Sequence, residues 1–367
     1  MVLGAGKRIP SLDGLRAVSI SFVLLAHLSG TAGFVRLPGA VLEGMSLFGV
    51  RVFFVISAFL ITSLLLQEES RTGTVSLGHF YLRRTLRIFP PFYAYVAAVA
   101  LVAALGWIEL HEFDLLSAVT YTTNYHPDRS WYLGHAWSLS VEEQFYLLWP
   151  FLLKYLGRRR APHAALAAVL VAPVLRIALL MFAPSFREGI GETFPTVADS
   201  IAAGCLLACY RDRLAASARW LAFLQGKYFW IVPGLALAAA FVPSVKVDFV
   251  FGQTFTNLGI ALAIERVVRF PQDLAGRFLN ARPVAYIGVL SYSLYLWQQP
   301  FLNRHSSHPM AAFPLNVVFV FGAAVASHYL IERPALRLRA RIEVAWKARA
   351  QARTQAIPAD PPQVGLG

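Results

Sequence analysis

Residues 46–66 read Ser46-Leu47-Phe48-Gly49-Val50-Arg51-Val52-Phe53-Phe54-Val55-Ile56-Ser57-Ala58-Phe59-Leu60-Ile61-Thr62-Ser63-Leu64-Leu65-Leu66, with Arg51 as the one charged side chain. An apolar run of about 20 residues is what an α-helix needs to cross ~30 Å of hydrocarbon. The alternating apolar–polar pattern of a membrane strand occurs neither here nor elsewhere in the chain, which sets a membrane barrel aside. The fold class that follows is all-α, a polytopic bundle of membrane helices.

Nine further stretches of this kind surround it, at 14–33, 88–109, 140–156, 163–183, 195–210, 228–243, 249–269, 284–303 and 311–331, so about ten transmembrane helices are expected. Composition agrees. The 367 residues are 57% hydrophobic and 14% charged, against roughly 25% charged for a soluble globular chain. Disorder of the bulk is excluded. Two cysteines, Cys205 and Cys209, are too few for a disulfide scaffold and read as small buried hydrophobes. The histidines lack ligand spacing, so no metal is expected.

The net charge of +13 suggests nucleic acid until its distribution is followed. Of 33 Lys and Arg, 26 fall in the N-terminal segment, the even-numbered connections and the C-terminal segment. Five, Arg36, Arg129, Arg187, Lys246 and Arg304, fall on the opposite side, and Arg51 and Arg176 lie inside apolar stretches. That asymmetry fits ten helices with both termini in the cytoplasm of an inner (plasma) membrane, and needs no nucleic acid. Lys7 and Arg8 precede a first apolar run that reads as a retained helix, not a cleaved leader, because Arg16 falls within it. The expected organisation is a membrane domain over 8–335, a basic amphipathic helix over 336–356 on the inner leaflet, and a disordered, proline-containing tail over 357–367. No internal repeat is visible.

Ionisable residues inside spans are costly and therefore mark candidate sites. Arg16 and His27 are eleven positions apart, three turns plus ~20°, which places both on one helix face ~16 Å apart. Arg16 also suits a snorkelling anchor, and His27 an interhelical hydrogen bond. Histidine is equally the natural general base near neutral pH. Arg83, Arg84 and Arg87 precede Pro90-Pro91. Arg84 and Arg87 share a helix face and could grip phosphate bidentately, although composition alone favours simple inside-positive anchoring. In Trp137-Ser138-Leu139-Ser140-Val141-Glu142-Glu143, Ser140 and Glu143 fit a capping box that would start the fourth span. Glu142 is then left to face the bundle, where it could orient His27. Asp199, Gln298 and Gln299 are smaller candidates in later spans, as are His328 and Glu332. Asp114, Asp128, Arg129 and His135 lie in the long outer loop.

At these residues the chain resembles the acyltransferase-3 family of integral membrane acyltransferases. The signs are Ser11-Leu12-Asp13-Gly14-Leu15-Arg16 running to His27, Val52 to Ile61, Phe80 to Pro90 with its Arg-x-x-Arg element, Trp137 to Tyr146 followed by Trp149-Pro150, Asp199 with Gly204, Ser291 to Trp297, and Tyr329 to Pro334. Two departures stand out. The family usually has Ser-Gly-Phe at Ser57-Ala58-Phe59, and many members have His at Gln298. The resemblance implies an O-acyltransferase that moves an acyl group, most often acetyl, from cytoplasmic acyl-CoA (acetyl-CoA) to a hydroxyl of a carbohydrate or glycosylated acceptor. His27 would act as base, Glu142 would support it, and Arg16, Arg83, Arg84 and Arg87 would hold the donor. Trp137, Ser138, Asp199, Tyr295, Gln298 and Gln299 are the expected substrate-side residues. A stand-alone transferase without a fused extracytoplasmic domain is expected, among membrane lipids and in an open oligomeric state. Direct transfer and an acyl-His27 intermediate both remain open. The competing class is a multipass transporter or lipid-linked-glycan flippase. Against it, Pro173, Pro195 and Pro233 do not pair into the matching broken helices of such proteins.

Overall fold

The computed structural model describes residues 9–355, except 184, 185, 187, 188 and 243. Lys7, Arg8 and Arg187 of the charge pattern, and the tail at 357–367, lie outside the described residues. Within them there are helices and no strands. The order begins α1 (Pro10–Leu28), α2 (Gly39–Thr72) and α3 (Leu77–Ala104), and the connection that follows carries the short α4 (Asp114–Val119) and α5 (Trp131–Gly134). The long α6 (Ala136–Phe182) follows, then α7 (Phe194–Ala215), α8 (Ala218–Gln225), α9 (Ile231–Ala239) and α10 (Val245–Val247). A π-helical turn over Asp248–Gly252 leads into α11 (Gln253–Arg269). After α12 (Leu274–Leu279) and α13 (Arg282–Phe301), α14 (Leu315–Ser327) passes through a second π turn, His328–Glu332, into α15 (Arg333–Gln355).

Six of these segments are long and apolar enough to cross a membrane: 11–28, 39–72, 77–104, 131–182, 245–269 and 315–346. The fourth covers two predicted spans. α6 runs through both, and Gly157 (φ 68°) makes the kink between them in a backbone conformation that side chains disfavour. α7 and α13 have the length to cross, yet carry Asp199 and Ser200, or Ser291, Ser293, Gln298 and Gln299, all buried in the protein. Their polarity is spent inward. The seventh predicted span, 228–243, is corrected: α9 has nine residues, ~14 Å of helix. Its first part is taken up by turns, with Phe229 N donating to Gly226 O and Ile231 N to Tyr228 O.

α1 is held between α2 and α13, α7 packs on α2 and α6, and α14 covers α13. The larger core gathers Phe54, Phe92, Tyr95, Trp137, Phe145 and Leu294 from α2, α3, α6 and α13. Outward-facing positions are as apolar as the core: Leu147, Leu170, Val174 and Phe182 of α6 are 61–80% exposed. A lipid-facing surface has that character.

Candidate active site

α1 supplies the two ends of a polar column. Near its C-terminus His27 Nδ1 lies 2.9 Å from Gln298 Oε1 of α13. A carbonyl oxygen only accepts, so Nδ1 carries the proton and, in the neutral ring, Nε2 keeps its lone pair. The other half of the amide, Gln298 Nε2, is buried with no hydrogen-bond partner. The His27 ring stands edge-on to Trp131 of α5, with centroids 5.5 Å apart. Trp131 Nε1 donates to the main-chain oxygen of Gln299 (2.8 Å). The guanidinium of Arg304 lies 5.7 Å from the Trp131 ring and donates to Ala26 O (2.9 Å). Trp131, Arg304 and His305 thus roof the histidine.

One turn inward along α13, the hydroxyls of Tyr295 and Ser138 (α6) are 2.6 Å apart. Both lie within hydrogen-bond distance of the main-chain oxygen of His135, at 3.1 and 3.2 Å. The His135 ring packs against Tyr95 and Tyr295, and neither of its nitrogens makes a hydrogen bond of normal geometry. Trp137 turns away, edge-on to Phe54. Gln299 Oε1, like Gln298 Nε2, is buried and unpartnered.

A further turn inward along α6 comes Glu142. Ser57 of α2 donates to its Oε1 (2.9 Å) and Tyr146 to its Oε2 (3.1 Å). Arg16 and Arg84 act on it electrostatically. Arg84 sits over the rings of Phe80 and Tyr146 at 5.7 and 5.4 Å, and Arg87 is within electrostatic range of both Arg16 and Arg84. Arg16 pairs with Asp13 (3.6 Å). Arg83 is turned to the edge, paired with Glu68 at 3.3 Å.

Three expectations need correction. Glu142 does not orient His27; Gln298 does. The carboxylate lies one turn inward of Ser138, and Ser138 meets Tyr295, itself a turn inward of Gln298, so about two turns, roughly 10 Å, separate it from the histidine. The capping box is also absent. α6 begins at Ala136, and Ser140 lies inside it, donating to Ala136 O (3.0 Å). Glu143 is thereby released from a capping role; its Oε1 is buried without a hydrogen-bond partner and lies within range of Arg84. Finally, Asp199 does not join the column. It accepts from Arg176 (3.0 Å) and Thr254 (2.6 Å), and Arg176 is itself fully buried. This is an ion pair that ties α6, α7 and α11 together.

Sequence reasoning missed Ser57, Trp131, Tyr146 and Arg304, and gave His135 little weight. Ser57 lies in the Val52 to Ile61 stretch, which carries the family resemblance with no role assigned to the hydroxyl. Trp131 and His135 belong to the connection between α3 and α6, whose position over the site is set by non-local contacts. There the buried Asp114 accepts from the main-chain nitrogens of His111 and Ser130, and Arg129 pairs with Glu192.

The acyltransferase-domain model of the acyltransferase-3 family matches residues 9–333. The chain is 27% identical over 359 residues to the O-acetyltransferase OatA of Staphylococcus aureus, covering 89% of this chain and 57% of that protein. It is 26% identical over 327 residues to the peptidoglycan O-acetyltransferase OatA of Listeria monocytogenes, covering 81% of this chain and 50% of that one. The chain therefore spans about half the length of these curated relatives. No solved structure matches it.

Proposed function

The chain belongs to the acyltransferase-3 family, and from that premise we propose that it is a membrane-embedded O-acyltransferase. It takes an acyl group, acetyl first among the candidates, from acyl-CoA on the side of Arg16, Arg84 and Arg87. It delivers the group to a carbohydrate hydroxyl on the side of Trp131. The names of the two relatives support O-acetylation, and the Listeria relative supports a peptidoglycan-like acceptor. The asymmetry of Lys and Arg supports an inner side that carries the donor arginines and both termini.

The observation that carries the reading is the hydrogen bond between His27 Nδ1 and Gln298 Oε1. It leaves Nε2 as a base aimed away from its support, the arrangement in which a third group fixes the tautomer of a catalytic imidazole. In the proposed step, Nε2 removes the acceptor hydroxyl proton as that oxygen attacks the thioester carbonyl carbon. The tetrahedral intermediate collapses with cleavage of the carbon–sulfur bond. The proton on His27 then passes to the departing thiolate, which leaves as the free thiol. Gln298 Nε2, buried and unpartnered, is the amide assigned to donate to the developing oxyanion. Ser138 and Tyr295 are engaged with each other and better suited to shaping the passage than to that role. Glu142, held by Ser57 and Tyr146, serves as counter-charge to Arg16 and Arg84.

The test is acetyl transfer by purified protein in nanodiscs, with Arg84→Ala and Arg87→Ala beside wild type. Each substitution should raise KM for acetyl-CoA about tenfold with little change in kcat, the equivalent of one charge-assisted hydrogen bond. A change confined to acceptor KM would reverse the placement of donor and acceptor.

A further inference from the structure

α15 does more than cover the inner end of the bundle. Its partly buried positions are Ala335, Leu336, Arg339, Ile342, Glu343 and Trp346, spaced three to four residues apart, whereas Arg333, Arg337 and Arg341 are exposed. One face therefore turns inward, and among the described side chains the one arginine on it is Arg339. That face packs along α3: the π turn at 328–332 and α15 both contact it, and the rings of Trp346 and His79 meet with centroids 4.5 Å apart. The two helices run antiparallel, since His79 is near the start of α3 and Trp346 lies late in α15. At 1.5 Å per residue, Arg339 is ~10 Å from that contact along α15, while Arg83 and Arg87 are ~6 and ~12 Å from it along α3. The register sets Arg339 between them. The electrostatic influence of Arg83 and Arg87 on Arg339 agrees. Carboxylates anchor two of the three: Glu68 lies 3.3 Å from Arg83, and Glu343 lies 3.4 Å from Arg339 Nε.

Three guanidiniums gathered within about two turns on two facing helices outnumber their two carboxylates, and a polyanion would complete their neutralisation. Resting on the donor reading above, we propose that Arg339 is a donor-binding residue that, with Arg83 and Arg87, grips the nucleotide phosphates of acyl-CoA. α15 then serves as one wall of the donor site.

The test compares two donors, acetyl-CoA and S-acetylpantetheine, which has the same thioester arm and no phosphate. With Arg339→Ala, KM for acetyl-CoA should rise about tenfold while kcat, and both constants for S-acetylpantetheine, stay at wild-type values. Arg339→Lys should recover part of the loss, and Arg341→Ala, on the exposed face, should behave as wild type. An unchanged KM for acetyl-CoA would overturn the proposal, as would an equal loss with both donors. Should Arg339→Ala not yield folded protein, Glu343→Gln carries the test, since removing the competing carboxylate should lower KM for acetyl-CoA severalfold; an unchanged KM counts against it. A wild-type protein that neither binds nor turns over acetyl-CoA would instead sink the underlying donor reading. A wild type that uses both donors equally well would retain that reading and refute the phosphate site.

Discussion

Gln298 is where the residue-level account is most exposed. As an amide it does two things at once: its oxygen fixes the His27 tautomer, and its nitrogen is free to donate. Two substitutions separate these. Gln298→Glu keeps an acceptor for Nδ1 and removes the N–H donor, whereas Gln298→Ala removes both. If the oxyanion role is real, both variants lose activity, the alanine more; loss of one hydrogen bond of ordinary strength is worth about tenfold in kcat. Gln298→Glu with full activity would leave the amide a purely orienting role. At Glu142 the expectation is different. Glu142→Gln keeps the bonds from Ser57 and Tyr146 in part but removes the counter-charge, so donor KM should move more than kcat. A pure kcat effect would restore the carboxylate to the chemistry.

At the scale of elements, the decisive contacts lie where helices approach closely. Ala58 replaces the small glycine usual at its position, and opposite its methyl the structure places Gly204 of α7. A Cβ added at Gly204 would fall against Val55 O and Ala58 Cβ. The close approach of α2 and α7 is thus carried by the glycine on α7. Gly204→Val should therefore prevent recovery of folded, monodisperse protein, measured by size-exclusion in detergent, while Ala58→Gly should be tolerated. The Arg176–Asp199 pair binds the same region. Breaking a buried ion pair by removing one partner costs about 3–5 kcal/mol, so Arg176→Ala should lower thermal stability in detergent markedly. A melting temperature equal to wild type would show that the pair does not hold α6 to α7 and α11.

Much of this level could be read from the amino-acid order. The apolar runs announce a helical membrane protein because lipid demands internally satisfied backbone, and Arg16 and His27 stand out because charge inside such runs is expensive, whereas Arg84 and Arg87, just before the third run, stand out only through the family resemblance. What could not be read was pairing. Gln298 and His27 are separated by 271 positions, and Ser57 and Glu142 by 85. No local pattern says which amide meets which imidazole. The start of α6 was misplaced for a related reason: Ser140-x-x-Glu143 has the spacing of a cap, yet the helix extends a turn further back, where Ala136 and Trp137 are buried by tertiary packing.

For the whole molecule, the polar groups form one column across an apolar bundle. Arginines from α1 and α3 stand at one end, an aromatic and arginine roof at the other, and His27 lies under that roof, ~16 Å of helix from Arg16. A donor and an acceptor entering from opposite faces would meet at the histidine without either crossing the bilayer. The central claim is that His27 is the base for that encounter, and a general base contributes roughly 10²–10⁴-fold. The most direct measurement is turnover of radiolabelled acetyl-CoA by purified protein in nanodiscs with a carbohydrate acceptor, beside His27→Ala at equal abundance. The account predicts labelled acceptor from wild type, and at least a hundredfold less from His27→Ala with acetyl-CoA binding retained. Undiminished transfer by His27→Ala would contradict it.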